Sequence, residues 1–139
     1  MPTSTSGGLS REDVATLRAG PKRFRELLLK RDFASLVNTY ARDAVVLQDG
    51  GAALKGHAKI RPFFEAFPPI TRFQLIIEEI DGRGDLAFVR GTYSMTMKPK
   101  GAKKALKDTG KWLEIHRSRR DGSWPTAVDV FNSDIPRPT

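Results

Sequence analysis

Cysteine is absent from the 139 residues. That removes disulfide staples, thiolate nucleophiles and sulfur-ligated zinc or iron–sulfur sites together. Histidine is scarce: His57 and His116 are the only two, too few for a multi-histidine centre, so neither metal nor cofactor is expected. No stretch approaches the roughly 20 apolar residues that cross a bilayer. The opening MPTSTSGG has neither the basic flank nor the apolar segment of a secretory signal. These absences point to a cytoplasmic protein without a membrane partner. Also missing are GxSxG, GxGxxG, the P-loop, HExxH and the EF-hand loop, which disfavours a cradled nucleotide and a metalloprotease mechanism.

What is present suits one domain. The length is that of a single unit, and 39% hydrophobic residues, eight of them Phe, are enough for a core. Residues 1–9 read as a disordered N-terminal tail and 10–136 as the domain. The formal charge is +8. Lys98, Lys100, Lys103, Lys104 and Lys107 crowd one stretch, and Arg117, Arg119 and Arg120 another. Such charge can steer anions. It lacks the interleaved aromatics of a single-strand groove, so nucleic acid is disfavoured and a solvated basic hairpin tip is expected.

Local signals order the elements. Ser10 can cap a first helix, with Asp13 as an approximate capping-box partner and Leu9 as staple. Gly20-Pro21 is expected to interrupt or restart that helix, after which Phe24, Leu27, Leu28 and Arg31 continue its stripe. Asp32 can cap a short helix with an apolar face of Phe33, Leu36, Val37 and Tyr40. Residues 43–48 read as a strand ending at the Asp49-Gly50-Gly51 turn. Ile60, Phe63, Phe64 and Phe67 recur at helical spacing, with Pro62 tolerable in the first turn. The rest is sheet: 71–80 and 85–97 flank a turn at 81–84, and 107–118 and 124–131 flank Asp121-Gly122. Helices against one face of an antiparallel sheet give an α+β domain, and so long a sheet curls around a ligand-sized space.

The candidate chemistry lies on strands otherwise written for burial. Asp129, between Val128 and Val130, shares a face with Ala127 and Phe131 by alternation. Facing an apolar cavity, its carboxyl would be raised by desolvation and fit for moving protons. It could instead be a carboxylate paired with Arg117, His116 or a turn amide, or one facing water. Asp49 stands beside two glycines, where backbone can approach a ligand closely, or is an ordinary turn residue. Trp112, Glu114 and His116 share one strand face. Turned inward, Glu114 and His116 form a carboxylate–imidazole pair; turned outward, they are sheet polars or interface residues. One of Arg90 and Tyr93 could donate a hydrogen bond into the pocket. Asn132 and Asp134 either tie down the last strand or line the pocket mouth, and His57 reads as a surface or capping residue.

Lys30 to Val37 followed by Tyr40 to Leu47, the glycine-led Gly56 to Arg61, and Asp108 to Ile115 with Asp121 to Trp124 and Asp129 to Asp134 resemble the nuclear transport factor 2-like superfamily, in its SnoaL-like, DUF4440 and ketosteroid isomerase-like members. The resemblance covers about 23–136. It implies a cone of three N-terminal helices packed on a strongly curved, mostly antiparallel sheet, and homodimers formed through that sheet. For steroid isomerisation it implies a carboxylate base, a Tyr and a protonated acid. Asp49 falls near the base position but one residue late, while Phe24 stands at the Tyr position and Lys111 or Trp112 at that of the acid. Two of the three roles are vacant. Polyketide-cyclase-like members place an acid–base Asp or His on the later strands, and the resemblance implies that role for Asp129 and His116.

Two functions follow. In one, the protein is a cofactor-free isomerase, cyclase or lyase for a small hydrophobic carbonyl compound, with Asp129, Asp49 or His116 as base and Tyr93 or a nearby group as donor. Glu114, Arg90, Trp112, Phe131 and Asn132 are the remaining pocket candidates. In the other, the same cone is a non-catalytic ligand-binding or dimerisation domain. Asp129 is then neutralised by a protein partner and His116 faces outward.

Overall fold

A computed structural model describes residues 8–136. The order is α1 (Arg11–Lys30), α2 (Phe33–Val37), β1 (Tyr40–Leu47), β2 (Leu54–Lys55), α3 (His57–Glu65), β3 (Ile70–Arg83), β4 (Leu86–Met97), β5 (Leu106–Arg117) and β6 (Thr126–Ser133). The strands form one sheet ordered β2-β1-β6-β5-β4-β3. β1 runs parallel to β6 and the other pairs are antiparallel. The three helices cover one face of this curved sheet, as α+β reasoning expects.

Ser10 caps α1, its side chain accepting from the Asp13 amide. Asp13 does not close a capping box. Its carboxylate instead accepts from Trp124 Nε1 at 3.1 Å, tying the start of α1 to the entry of β6. Pro21 does not break the helix. A proline inside a helix costs about 3 kcal/mol, but Leu17, Pro21, Leu27 and Leu28 are all buried along one 20-residue rod. Their burial, about 1.5–3 kcal/mol for each large side chain, outweighs the lost bond. The helix ends at Arg31, at φ 58°. That residue's guanidinium lies 4.9 Å above the Phe33 ring and donates to the carbonyls of Phe67 and Glu65, both at 3.4 Å, so the strained cap also clamps α1 to the end of α3. Asp32 caps α2 through the Ser35 amide.

Two expectations shift at the edges. Gly8 bridges Arg83 and Leu9 is only 4% exposed, so the ordered domain takes in the last two residues assigned to the tail; residues 1–7 lie outside the described residues. The β3–β4 turn is Gly84-Asp85, not 81–84, because Arg83 pairs with Leu86. Gly82 belongs to the strand, where a Cβ would press on Ala87. The Asp121-Gly122 turn forms as read, with Asp121 accepting from both the amide and the hydroxyl of Ser123. In the basic connection after β4, Lys98 Nζ donates to the Lys103 carbonyl at 2.9 Å.

Register shifts bend the sheet, in β3 between Ile77 and Glu79 and in the β5–β6 pair between Ile115 and His116. Two glycines on the concave face let large rings lie flat. A Cβ on Gly110 would meet the Tyr93 ring, and one on Gly91 would meet the Ile76 carbonyl oxygen and the Trp112 ring. Gly91→Ala is therefore expected to lower stability by about 3 kcal/mol, because a paired strand cannot move its carbonyl away. Gly20→Ala, with nothing within 4 Å, should instead be neutral or stabilising by up to about 1 kcal/mol. Urea unfolding of the two variants measures the contrast.

The core divides in two. Leu27, Leu28, Leu36, Val37, Tyr40, Val46, Ile60, Phe64 and Phe73 fill the helix side. Leu9, Leu17, Ala87, Val89, Trp112 and Trp124 form a smaller cluster at the other end. Between them the concave face is not fully packed.

Candidate active site

The unfilled space is a cavity of about 620 Å³, within the range of small-molecule sites. Alternation along the strands decides what lines it. On β5, Trp112, Glu114 and His116 face in, as their shared parity allows, while Leu113 and Arg117 are exposed on the other side. On β4, Tyr93 and Met95 face in, whereas Arg90 has the opposite parity and is not a pocket residue. Arg90 is exposed and pairs with Glu79 at 2.7 Å. Asn132 is likewise exposed and takes no part in the lining, because Phe131 before it faces inward. On β6, Asp129 and Phe131 line the cavity together with Thr126 rather than Ala127. The bulge pairs Ile115 with Val128 and His116 with Thr126, leaving Ala127 as the extra residue and shifting the parity below it.

Asp129 is 8% exposed and its Oδ2 accepts from the Tyr40 hydroxyl at 2.6 Å. Burial pushes this carboxyl from 3.8 up to about 7. The like charge of Glu114 adds to the shift, while the Tyr40 hydrogen bond and His116 oppose it. Burial, with Asp129 alongside, also holds the Tyr40 phenol well above its ordinary range, so Tyr40 remains a donor.

His116 is buried, at 7% exposed. Its Nδ1 lies 2.9 Å from the Trp124 carbonyl. A carbonyl only accepts, so the proton sits on Nδ1 and the neutral ring keeps its lone pair on Nε2. Nε2 has no hydrogen-bond partner, although Glu114 Oε1 stands 3.4 Å away, an ion pair once the ring is protonated. Burial disfavours that charge. Attraction to Glu114, the Trp124 carbonyl and Asp129 outweighs burial and raises the imidazole above 6.5.

Asp129, His116 and Glu114 thus come together. Asp49, grouped with Asp129 and His116 by type, does not join them. It lines the cavity where β1 ends, and its Oδ2 accepts the Ser133 amide at 2.9 Å. There it neighbours a separate constellation: the Tyr93 hydroxyl donates to Asp108 Oδ2 at 2.9 Å and Ser133 Oγ to Asp108 Oδ1 at 2.5 Å. Asp134 pairs with Lys111. His57 contacts the Tyr40 carbonyl through Nε2 at 2.9 Å, holding the start of β1. Phe24 lines the cavity and packs edge-on against Tyr40 and Phe64, so the position where steroid chemistry needs a hydroxyl carries a ring without one.

Sequence reasoning missed Tyr40, placed in the apolar stripe of α2. In the structure it opens β1 and is 1% exposed. The β1–β6 pairing shifts register between Tyr40 and Val45, so only that long-range pairing places its ring inside. Among the described residues no group of three or more His, Asp and Glu has metal-holding geometry, and no helix is long and apolar enough to cross a membrane.

Similarity to known proteins agrees with this geometry. The family model of the SnoaL-like domain matches residues 22–125. A search of curated proteins found no significant match. Among solved structures, a ketosteroid isomerase-like protein from Erwinia carotovora atroseptica superposes with a TM-score of 0.81 at 22% identity, covering 91% of this chain and 100% of that one. A conserved protein from Planctomyces limnophilus gives 0.79 at 21%, covering 89% and 99%. A candidate scytalone dehydratase from Novosphingobium aromaticivorans gives 0.76 at 12%, covering 88% and 85%. At these identities the structures share the fold, and the family match extends over most of the chain. The protein belongs to the SnoaL-like domain family, within the nuclear transport factor 2-like fold.

Proposed function

We propose that the protein is a cofactor-independent isomerase, cyclase or lyase that moves protons on a small hydrophobic carbonyl compound. The observation that carries this reading is the buried Tyr40–Asp129–His116–Glu114 cluster on the wall of an otherwise mostly apolar cavity. Ionised Asp129 takes a proton from the carbon next to the carbonyl, and the electron pair moves onto the carbonyl oxygen. The Nε2–H of protonated His116 donates to that oxygen, and Glu114 balances the imidazolium. Reprotonation at another carbon, ring closure or loss of a leaving group completes the three outcomes of the class. Tyr40 holds Asp129 in place. The alternative of a purely binding domain predicts an outward His116 and an Asp129 neutralised by a partner. The inward imidazole and a hydroxyl, rather than a cation, on Asp129 favour catalysis.

The reading also carries a homodimer through the sheet's outer face, where Ile76 and Leu113 stand exposed. The catalytic test is deuterium uptake from heavy water into a panel of hydrophobic ketones, followed by NMR across pH. Uptake above the buffer rate is expected, rising through about pH 7 as Asp129 ionises. Uptake at the buffer rate at every pH contradicts the assignment.

A further inference from the structure

The cavity has two polar ends. Along β6, Asp129, Phe131 and Ser133 follow one another at alternate positions, so Ser133 lies about 13 Å beyond Asp129 at a rise of about 3.3 Å per residue. Along β5, Asp108 lies about 20 Å beyond Glu114 on the same basis. Trp112, Phe131, Phe73 and Met95 line the space between. At the near end, His116 Nε2 is buried and faces the cavity with Glu114 Oε1 3.4 Å away.

At the far end the Tyr93 and Ser133 donors are held within the protein. The Tyr93 hydroxyl is spent on Asp108 Oδ2, the Ser133 hydroxyl on Asp108 Oδ1 and the Ser133 amide on Asp49 Oδ2. Burial and the Asp108 carboxylate push the Tyr93 phenol well above its ordinary value, so it keeps that proton. With these donors committed inside the protein, Tyr93 and Asp108 offer the cavity oxygen lone pairs. Such a pair favours a hydrogen-bond donor over a carbonyl.

Building on the acid–base reading of this cavity, we propose that its substrate is elongated and bifunctional. A carbonyl lies at Asp129 and His116, a hydroxyl lies at Tyr93 and Asp108, and an apolar body joins them across Trp112 and Phe131. A site built to bond a hydroxyl discriminates strongly against the analogue lacking it, because its acceptors are then left without a donor.

The experiment measures Kd by quenching of tryptophan fluorescence, using the full chain with Asp129→Asn to suppress turnover. The probes are 4-hydroxyphenyl alkyl methyl ketones with two to six methylenes in the spacer, each compared with its phenyl counterpart. At the matching length the hydroxyl should tighten binding at least tenfold. Adding Asp108→Asn should cut that preference below about threefold while leaving the phenyl compound's Kd unchanged. If that variant fails to fold, Tyr93→Phe, which removes the phenolic oxygen, should shrink the preference in the same direction. Binding of both members of each pair with equal Kd at every length overturns this inference and leaves the acid–base reading intact. Binding of neither overturns both.

Discussion

Asp129→Asn should reduce proton transfer to and from carbon by about 10²–10⁴-fold, the usual contribution of a positioned general base, while leaving the fold in place. The amide matches the carboxyl in shape and can still accept from Tyr40, which donates at 2.6 Å, but it cannot take a proton. Circular dichroism and urea unfolding establish that the variant is folded, and deuterium uptake into the responsive ketone gives the rate. Ligand affinity should change far less than the rate, because the apolar lining from Phe63, Phe73, Trp112 and Phe131 is untouched. A rate within threefold of the parent protein would remove Asp129 from the mechanism.

The same substitution should stabilise the protein at neutral and higher pH. Folding moves the Asp129 carboxyl from 3.8 to about 7, chiefly through burial. Between those values the unfolded chain holds fewer protons at this site than the native one, so stability falls as pH rises from about 4 to about 7 and is level beyond. The shift corresponds to roughly 4 kcal/mol as an upper bound. Electrostatic attraction between ionised Asp129 and protonated His116 recovers part of it. His116, raised above 6.5, acts in the same direction: its contribution is fully present below 6.5 and is lost as pH climbs through its folded value. Asp129→Asn removes the first effect. Its stability relative to the parent should therefore grow from near zero at pH 4 to its full value above pH 7, read from urea midpoints at each pH. A difference that does not vary with pH would mean that the carboxyl is not desolvated. Keeping a destabilising carboxyl in place is the kind of sacrifice that functional sites make.

Much of this architecture was legible in the residues, for identifiable reasons. Asp32 and Ser10 announced helix starts because a side-chain oxygen can satisfy an orphan amide. The 112/114/116 face was legible because strand parity is strict, and the same parity separates Tyr93 from Arg90. What failed was parity across irregularities. The bulge at Ile115/His116 exchanges Thr126 for Ala127 on the inner face, and no residue there signals it. Pro21 looked like a helix break because local propensity cannot see the buried leucines on either side of it. Tyr40 was hidden for a related reason: Leu36 and Val37 precede it at helical spacing, and only the long-range pairing of β1 with β6 shows that the chain has become extended. The separation of Asp49 from Asp129 was equally out of reach, since it depends on how far β1 runs alongside β6.

The account rests on a carboxyl that keeps its proton until neutrality inside an apolar cavity, within the field of the Glu114–His116 pair. Labelling aspartate with carbon-13 at the side-chain carboxyl and following the Asp129 resonance, assigned by its loss in Asp129→Asn, tests this directly. The account predicts a midpoint near 7, with the His116 ring titrating above its ordinary 6.5. A midpoint near 4, with the His116 ring unaffected, would contradict it.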